Sequence, residues 1–213
     1  MPISKKYSAI FIHIPKCAGT SVESALGMHG DLDFIGVKPY LNQVANKETL
    51  FGAGLQHMSA NEVKAEIDDT FYKEAFKFTI VRNPWERFIS HVAWGAGKSG
   101  RPKWIEGEPL EKEEVSKAVA RITARGSLDN NHLRSQSSYI YDDEGRCLVD
   151  FVGRYEQLES DWQVICARLG AKVDLPARMK SVHMHYSNYF SDEEAEQVGQ
   201  WYKQDIERFG YVY

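Results

Sequence analysis

Two segments of the chain gather the residue types that hold anions. The first is His13-Ile14-Pro15-Lys16-Cys17-Ala18-Gly19-Thr20-Ser21. An apolar, β-branched run precedes it and a stretch with helical spacing follows, so the loop lies where a strand hands over to a helix. Such a turn aims several backbone N–H groups and a helix N-terminus at one point, which suits an anionic group. Lys16 adds a flexible point charge, and Thr20 and Ser21 add hydroxyl donors. The plainer reading is a turn whose Ser and Thr only cap the helix. The residue order is not that of a Walker A loop, because the lysine precedes the glycine and follows a proline. The second segment is Val81-Arg82-Asn83-Pro84-Trp85-Glu86-Arg87-Phe88-Ile89-Ser90. Arg82 stands at the end of a strand, the edge where open α/β sheets take ligands, and its guanidinium can grip a phosphate bidentately. Ser90 falls on the flank of the helix that follows, two turns beyond Asn83. A surface arginine and an incidental helical serine are the alternative.

The elements that must position these residues follow from periodicity. Ala9–Ile14, Phe78–Val81 and Leu148–Val152 read as buried strands of a parallel sheet. Thr20–Leu26 is helical, with Val22, Ala25 and Leu26 on one face. Asn83 is a fitting N-cap ahead of Pro84 in the first turn, and Trp85, Phe88, Ile89 and Val92 form an apolar stripe. Leu158, Trp162, Ile165 and Leu169 form another. Ser59 and Glu62 make a capping box before a short helix ending near Ile67. Leu110–Arg125 is an amphipathic helix stopped by Gly126, and Ser191–Arg208 one stopped by Gly210. Alternating strands and helices imply an α/β fold with right-handed crossovers: a central parallel sheet flanked by helices. Gly95–Pro109 lacks periodicity and reads as a mobile loop near the site. No boundary interrupts 1–213, so one domain is expected.

Composition narrows the function. The 213 residues carry a net charge of −4 with a pI near 6.0, which argues against a general nucleic-acid binder. An anionic ligand must therefore be held by local donors, not by the overall field. No run approaches the ~18–20 apolar residues of a membrane span. The segment Met1–Tyr7 lacks the pattern of a signal peptide. Three cysteines, Cys17, Cys147 and Cys166, have neither disulfide-scaffold nor metal spacing, so reduced thiols and a cytoplasmic location are expected.

Taken together, the two loops resemble those of the sulfotransferases that include carbohydrate sulfotransferases and the heparan sulfate 2-O-sulfotransferase group. The likeness is to a compact bacterial-type member. Phe-Ile-His-Ile-Pro-Lys-Cys-Ala-Gly-Thr-Ser is similar to the family's 5′-phosphosulfate loop, and Val-Arg-Asn-Pro-Trp-Glu-Arg-Phe-Ile-Ser to its 3′-phosphate loop. Weaker echoes are Gln56-His57, Leu133-Arg134-Ser135-Gln136, Val152-Gly153-Arg154-Tyr155-Glu156 and the closing Tyr202-x-x-Asp205-Ile206-x-x-Phe209-Gly210-Tyr211. Cys17-Ala18 departs from the commoner Thr-Gly pair. The resemblance implies a P-loop-like nucleotide-binding fold and 3′-phosphoadenosine-5′-phosphosulfate (PAPS) as donor, with 3′,5′-diphosphoadenosine as product and no metal. It implies that Lys16 and the N–H groups of Gly19, Thr20 and Ser21 hold the 5′-phosphosulfate, and that Arg82 and Ser90 hold the 3′-phosphate. Tyr155 would lie against the adenine, or pack beside the sheet. Lys180 and Ser181 would close over the 3′-phosphate, or form a solvent-facing basic turn.

Attack by a hydroxyl on sulfur needs a proton acceptor, and histidine titrates in the useful range. Of seven histidines, His57 is selected. It follows Gly52-Ala53-Gly54, precedes the helix capped by Ser59, and matches the family's base segment. A helix-entry histidine making a local bond is the competing account. His13, inside the first strand, is expected to bond within the core. His91 is helical, and His132, His183 and His185 lie in polar stretches. Arg134 and Gln136 could bind a sugar hydroxyl or acid group of the acceptor, or belong to a solvated loop. The expected reaction is an in-line displacement. The acceptor oxygen bonds to sulfur, its proton passes to His57, and the bridging S–O bond breaks with its electrons stabilised by Lys16 and the loop amides. The acceptor expected is a saccharide or other small alcohol. A nucleotide-dependent kinase and a non-catalytic nucleotide-binding module are the competing functions, the former needing Mg²⁺ and a carboxylate to hold it.

Overall fold

The computed structural model describes residues 3–28, 55–95, 108–128, 131–176 and 183–213. Lys180, Ser181, Gly52-Ala53-Gly54 and all but the ends of the Gly95–Pro109 loop lie outside the described residues. The chain divides into two compact units, one formed by Met1–Val81 with Ser138–Pro176, the other by Arg82–Ser137 with Ala177–Tyr213.

The first unit holds a four-stranded mixed sheet in the order β1 (Ile3–Ser4), β2 (Ala9–Ile12), β3 (Phe76–Val81), β4 (Phe151–Arg154). The β2–β3 and β3–β4 pairs are parallel, with Phe11 opposite Phe78 and Phe78 opposite Phe151. The expected parallel sheet thus forms, and the short β1, which periodicity did not reveal, adds an antiparallel edge. Ala9, Ile10, Phe11, Ile12, Phe78, Ile80 and Val81 are buried, as residues of a covered parallel sheet must be. Helices α1 (Gly19–Leu26), α2 (Ala60–Glu66), α3 (Asp69–Glu74) and α7 (Leu158–Leu169) belong to this unit, with all but the first residue of the short α6 (Ser137–Ile140), and α7 packs on β4.

β3 begins two residues before the expected Phe78, at Phe76, and β4 runs two past the expected Val152, to Arg154; two further limits differ for local reasons. β2 stops at Ile12, not Ile14, because the N–H of Ile14 turns back to the carbonyl of Ile12 (3.1 Å) and Pro15 has no N–H to offer. The Thr79 hydroxyl also bonds that Ile12 carbonyl at 2.7 Å. β4 begins at Phe151, not Leu148. The Leu148 N–H is spent on Ile140 (2.8 Å), and Lys77 trades main-chain and carboxylate bonds with Asp150 just ahead of the strand.

The second unit is helical: α4 (Pro84–Ala93), α5 (Lys112–Arg125), α8 (Asp192–Trp201) and α9 (Lys203–Phe209). Trp85, Phe88 and Ile89 of α4 pack with Val115, Val119 and Ile122 of α5 and Ala195 and Val198 of α8, so the stripes read from the sequence form its core. The N-caps follow the sequence. Asn83 accepts from the N–H groups of Trp85 and Glu86 (3.0 and 3.3 Å), and capping boxes close at Ser59 and Ser191. The helix expected over Ser191–Arg208 is two helices meeting at Tyr202, whose φ of −108° and ψ of 23° break the α-helical path. Among the described residues, no helix is long and apolar enough to cross a membrane.

Candidate functional site

In the first unit, the β2–α1 loop has a costly backbone. Lys16 and Ala18 adopt φ of +69° and +61°, a left-handed conformation that costs a residue with a Cβ on the order of 1–2 kcal/mol. Ala18 is the N-cap of α1, so that helix starts without any side-chain cap and without an acidic residue in its first turn. Its leading N–H groups are therefore presented toward whatever fills the loop. The Ser21 N–H bonds back to Ala18 (3.0 Å), which leaves Gly19 and Thr20 as the better-placed amide donors of the three expected. Lys16 and Thr20 are half-buried, while Gly19 and Ser21 are buried.

Gly19 is demanded by a neighbour. A Cβ there would stand 2.0 Å from Nε2 of His13, whose ring lies over the glycine. His13 is buried, as expected of a strand histidine, and its Nδ1 meets Oε1 of Glu23 at 2.6 Å. The other oxygen of Glu23 accepts from Nε2 of Gln56 at 2.8 Å. His57, half-buried in a 3-10 turn formed by Leu55–His57, brings its Nδ1 to 3.1 Å from the His13 carbonyl. The two imidazole rings meet edge to face with centroids 4.7 Å apart. His57 and the β2–α1 loop are thus joined through His13. A hydrogen bond from Nδ1–H to a carbonyl leaves Nε2 of His57 as the ring's acceptor, the form a general base requires. Tyr155 lies half-buried in the turn after β4.

In the second unit, Arg82 is fixed at both ends. Its main-chain N–H and C=O bond the side-chain amide of Gln136 at 2.9 and 2.8 Å, and its guanidinium Nη2 lies 2.9 Å from Oε1 of Glu86. His183 Nδ1 is 3.8 Å from the same oxygen. Ser90 is buried on α4. Gln136 is 0 % exposed. Its amide is spent on Arg82, which is neither of the roles, acceptor contact or solvated loop, that the sequence offered for it. Arg134 is half-buried, and its carbonyl accepts from Nη1 of Arg87 at 3.0 Å.

This arrangement explains two of the weaker sequence echoes. The main chain of residues 132–137 is strapped down by three side chains. Arg87 donates to the carbonyls of His132 and Arg134, Tyr202 donates its hydroxyl to Leu133 (2.7 Å), and Asp205 accepts the N–H groups of Gln136 and Ser137 (2.7 Å each). Leu-Arg-Ser-Gln and Tyr-x-x-Asp are thus two halves of one device that holds Gln136 against Arg82. Asp205 is 0 % exposed. Asp205→Ala therefore leaves two buried N–H groups without an acceptor, and thermal or urea unfolding should show a loss of about 2–4 kcal/mol. Asp205→Asn, which keeps one acceptor oxygen, should lose less.

Among the described residues, no group of three or more His, Cys, Asp and Glu side chains is placed to hold a metal ion. Cys17, Cys147 and Cys166 are free thiols, and burial pushes that of Cys166 above the ordinary range.

Glu23, Glu86 and Arg87 were given no role from the sequence, and Asp205 stood there only within the closing Tyr-x-x-Asp echo. Glu23 carried a signal nonetheless, since it shares the buried face of α1 with Gly19, Val22 and Leu26. A carboxylate on an apolar stripe needs a partner inside.

No curated protein and no solved structure matches the chain. Residues 1–93, a stretch that includes the β2–α1 loop, His57, Arg82 and Ser90, match the model of the Sulfotransferase family.

Proposed function

We propose that the protein moves a sulfuryl group from PAPS to the hydroxyl of a saccharide or other small alcohol, as a member of the carbohydrate and heparan sulfate 2-O-sulfotransferase-like group. The observation that carries the reading is the β2–α1 loop. Two left-handed residues that are not glycine open a helix that has no cap of its own, ahead of a glycine that tolerates no side chain. Strain of this kind persists where a bound group repays it, and an anion on the first amides of α1 does so. The donor supplies an activated sulfuryl group. Lys16 with the amides of Gly19 and Thr20 and the Ser21 side chain hold its 5′ end, and Arg82 with Ser90 binds the 3′-phosphate. Lys180 and Ser181 complete that grip, Tyr155 lies by the adenine, and Arg134 meets the acceptor. Nε2 of His57 receives the acceptor's proton. A sulfuryl group carries less charge than a phosphoryl group, so these donors serve without a metal ion. The three free thiols suit a reducing cytoplasm.

Calorimetry tests the donor. 3′,5′-Diphosphoadenosine should bind far more tightly than AMP, and Arg82→Ala should remove most of the difference, about 1.5–3 kcal/mol or roughly 10–100-fold. Equal affinity of the wild type for the two nucleotides would sink the assignment. Sulfate transfer from radiolabelled PAPS to an acceptor panel, run in excess EDTA, identifies the acceptor. Loss of transfer under EDTA with rescue by Mg²⁺ would favour a kinase-like enzyme.

A further inference from the structure

Glu23 lies 3 % exposed inside the first unit, and its two oxygens reach different parts of the site. Oε1 takes Nδ1 of His13 at 2.6 Å, and Oε2 takes Nε2 of Gln56 at 2.8 Å. His13 carries the carbonyl that bonds Nδ1 of His57, and Gln56 is the residue next to His57 in the turn. Glu23 itself stands on α1, the helix whose first turn forms the phosphate loop. One buried carboxylate therefore ties together the loop, the end of β2 and the turn that carries the histidine.

We propose that Glu23 is a positioning residue: acting through His13 and Gln56, it fixes the ring orientation and the tautomer of His57 relative to the phosphate loop. The chemistry is specific. A carboxylate is acceptor-only, so it can receive N–H bonds from His13 and Gln56 at once. With His13 held, its carbonyl has one position, and a proton on Nδ1 of His57 is the state that satisfies it. Nε2 is then left with its lone pair, which a proton acceptor needs and the other tautomer lacks at that atom. Glutamine in place of Glu23 supplies one acceptor oxygen and one NH₂ group. Either His13 must move its proton to Nε2 and accept from that NH₂, or one of His13 and Gln56 must turn, and the charge-assisted hold on the His57 turn is weakened. This role matters for rate only if His57 is the base, so it rests on the sulfuryl-transfer reading, but the tautomer itself is observable without any substrate.

The test is long-range ¹H–¹⁵N NMR of the full chain labelled at histidine, at a pH above the imidazole range, with His57→Ala used to assign the His57 signals. Wild type is expected to show His57 as a single Nδ1–H tautomer. Glu23→Gln should move those signals toward the Nε2–H tautomer or an exchanging mixture, and Gln56→Ala should do so to a smaller degree. Turnover should fall about tenfold or more in Glu23→Gln, a part of what a positioned base contributes. Affinity for 3′,5′-diphosphoadenosine should fall by much less than turnover, because Glu23 reaches the loop only through His13 and the grip on the 3′-phosphate is on other residues. A protein that had only lost stability would lose both together. The proposal is overturned if wild-type His57 is the Nε2–H tautomer, or if its signals are the same in wild type and both variants. Should Glu23→Gln fail to fold, Gln56→Ala decides alone, since it leaves the Glu23–His13 pair in place. If no form binds the diphosphate nucleotide, the donor assignment fails, while the tautomer result still decides the role of Glu23.

Discussion

His57→Ala is expected to lower turnover by roughly 10²-fold or more while leaving the affinity for 3′,5′-diphosphoadenosine nearly unchanged. A positioned general base contributes about that much, and a base that serves the acceptor has no part in holding the nucleotide. The geometry supplies the warrant. Nδ1 of His57 lies 3.1 Å from the His13 carbonyl, and an imidazole that donates from Nδ1 is an acceptor at Nε2, the state a base requires. The rate–pH profile adds a second readout. Below the pKa of the ring the imidazole is protonated and cannot accept, so wild-type turnover should fall as pH falls through it. Removing the ring removes that acidic limb. Folding should suffer little, since losing a half-buried hydrogen bond to a carbonyl costs about 1 kcal/mol. Wild-type turnover in His57→Ala would place the base elsewhere, and His13 and His132 would be next.

Most of the frame was legible from local pattern because its causes are local. The capping box at Ser59, the cap at Asn83 ahead of Pro84 and the glycine stop at Gly126 each involve residues within four positions of one another. The runs that became β2 and β3 are apolar enough to be recognised without their neighbours. What escaped depends on distant partners. β1 is two residues long and exists through pairing with β2. The start of β4 is set by Ile140 and Lys77, which the run around Leu148 does not announce. The break at Tyr202 goes with contacts to residues 133–137, about seventy positions earlier in the chain.

The same division runs through the candidate site. Lys16, Gly19 and Arg82 are visible in the sequence because loop type and residue type coincide. Gln136 is not, because a glutamine in a polar stretch looks alike whether it meets a ligand or, as here, a main-chain edge 54 residues away. The buried carboxylates Glu23 and Asp205 could have been suspected from their place on apolar stripes, but the groups they hold could not have been named. Charged side chains inside a core are placed by tertiary bonds, and sequence periodicity is blind to those.

Lys16→Ala should reduce turnover by about 10²–10³-fold and weaken donor binding as well. That pairing of effects separates it from His57→Ala. An ammonium beside the 5′ group interacts with the bound donor and more strongly with the charge that builds as the S–O bond breaks, so both ground-state binding and rate depend on it. The backbone gives the experiment a clean control. Lys16 sits at φ +69°, and alanine bears the same left-handed cost, so the substitution removes the charge without relieving strain. Lys16→Gly removes both. If the loop's conformation is what matters, the glycine variant should be more stable than the alanine variant, by up to about 1 kcal/mol, yet equally inactive. Lys16→Arg keeps the charge but replaces a compact ammonium with a planar fork, and recovery of only part of the rate is expected. Calorimetry with the diphosphate nucleotide and turnover with PAPS measure the two effects separately. An alanine variant with wild-type turnover would mean that the amides of α1 carry the developing charge alone. The strained loop would then serve to present N–H groups, with Lys16 outside the reaction.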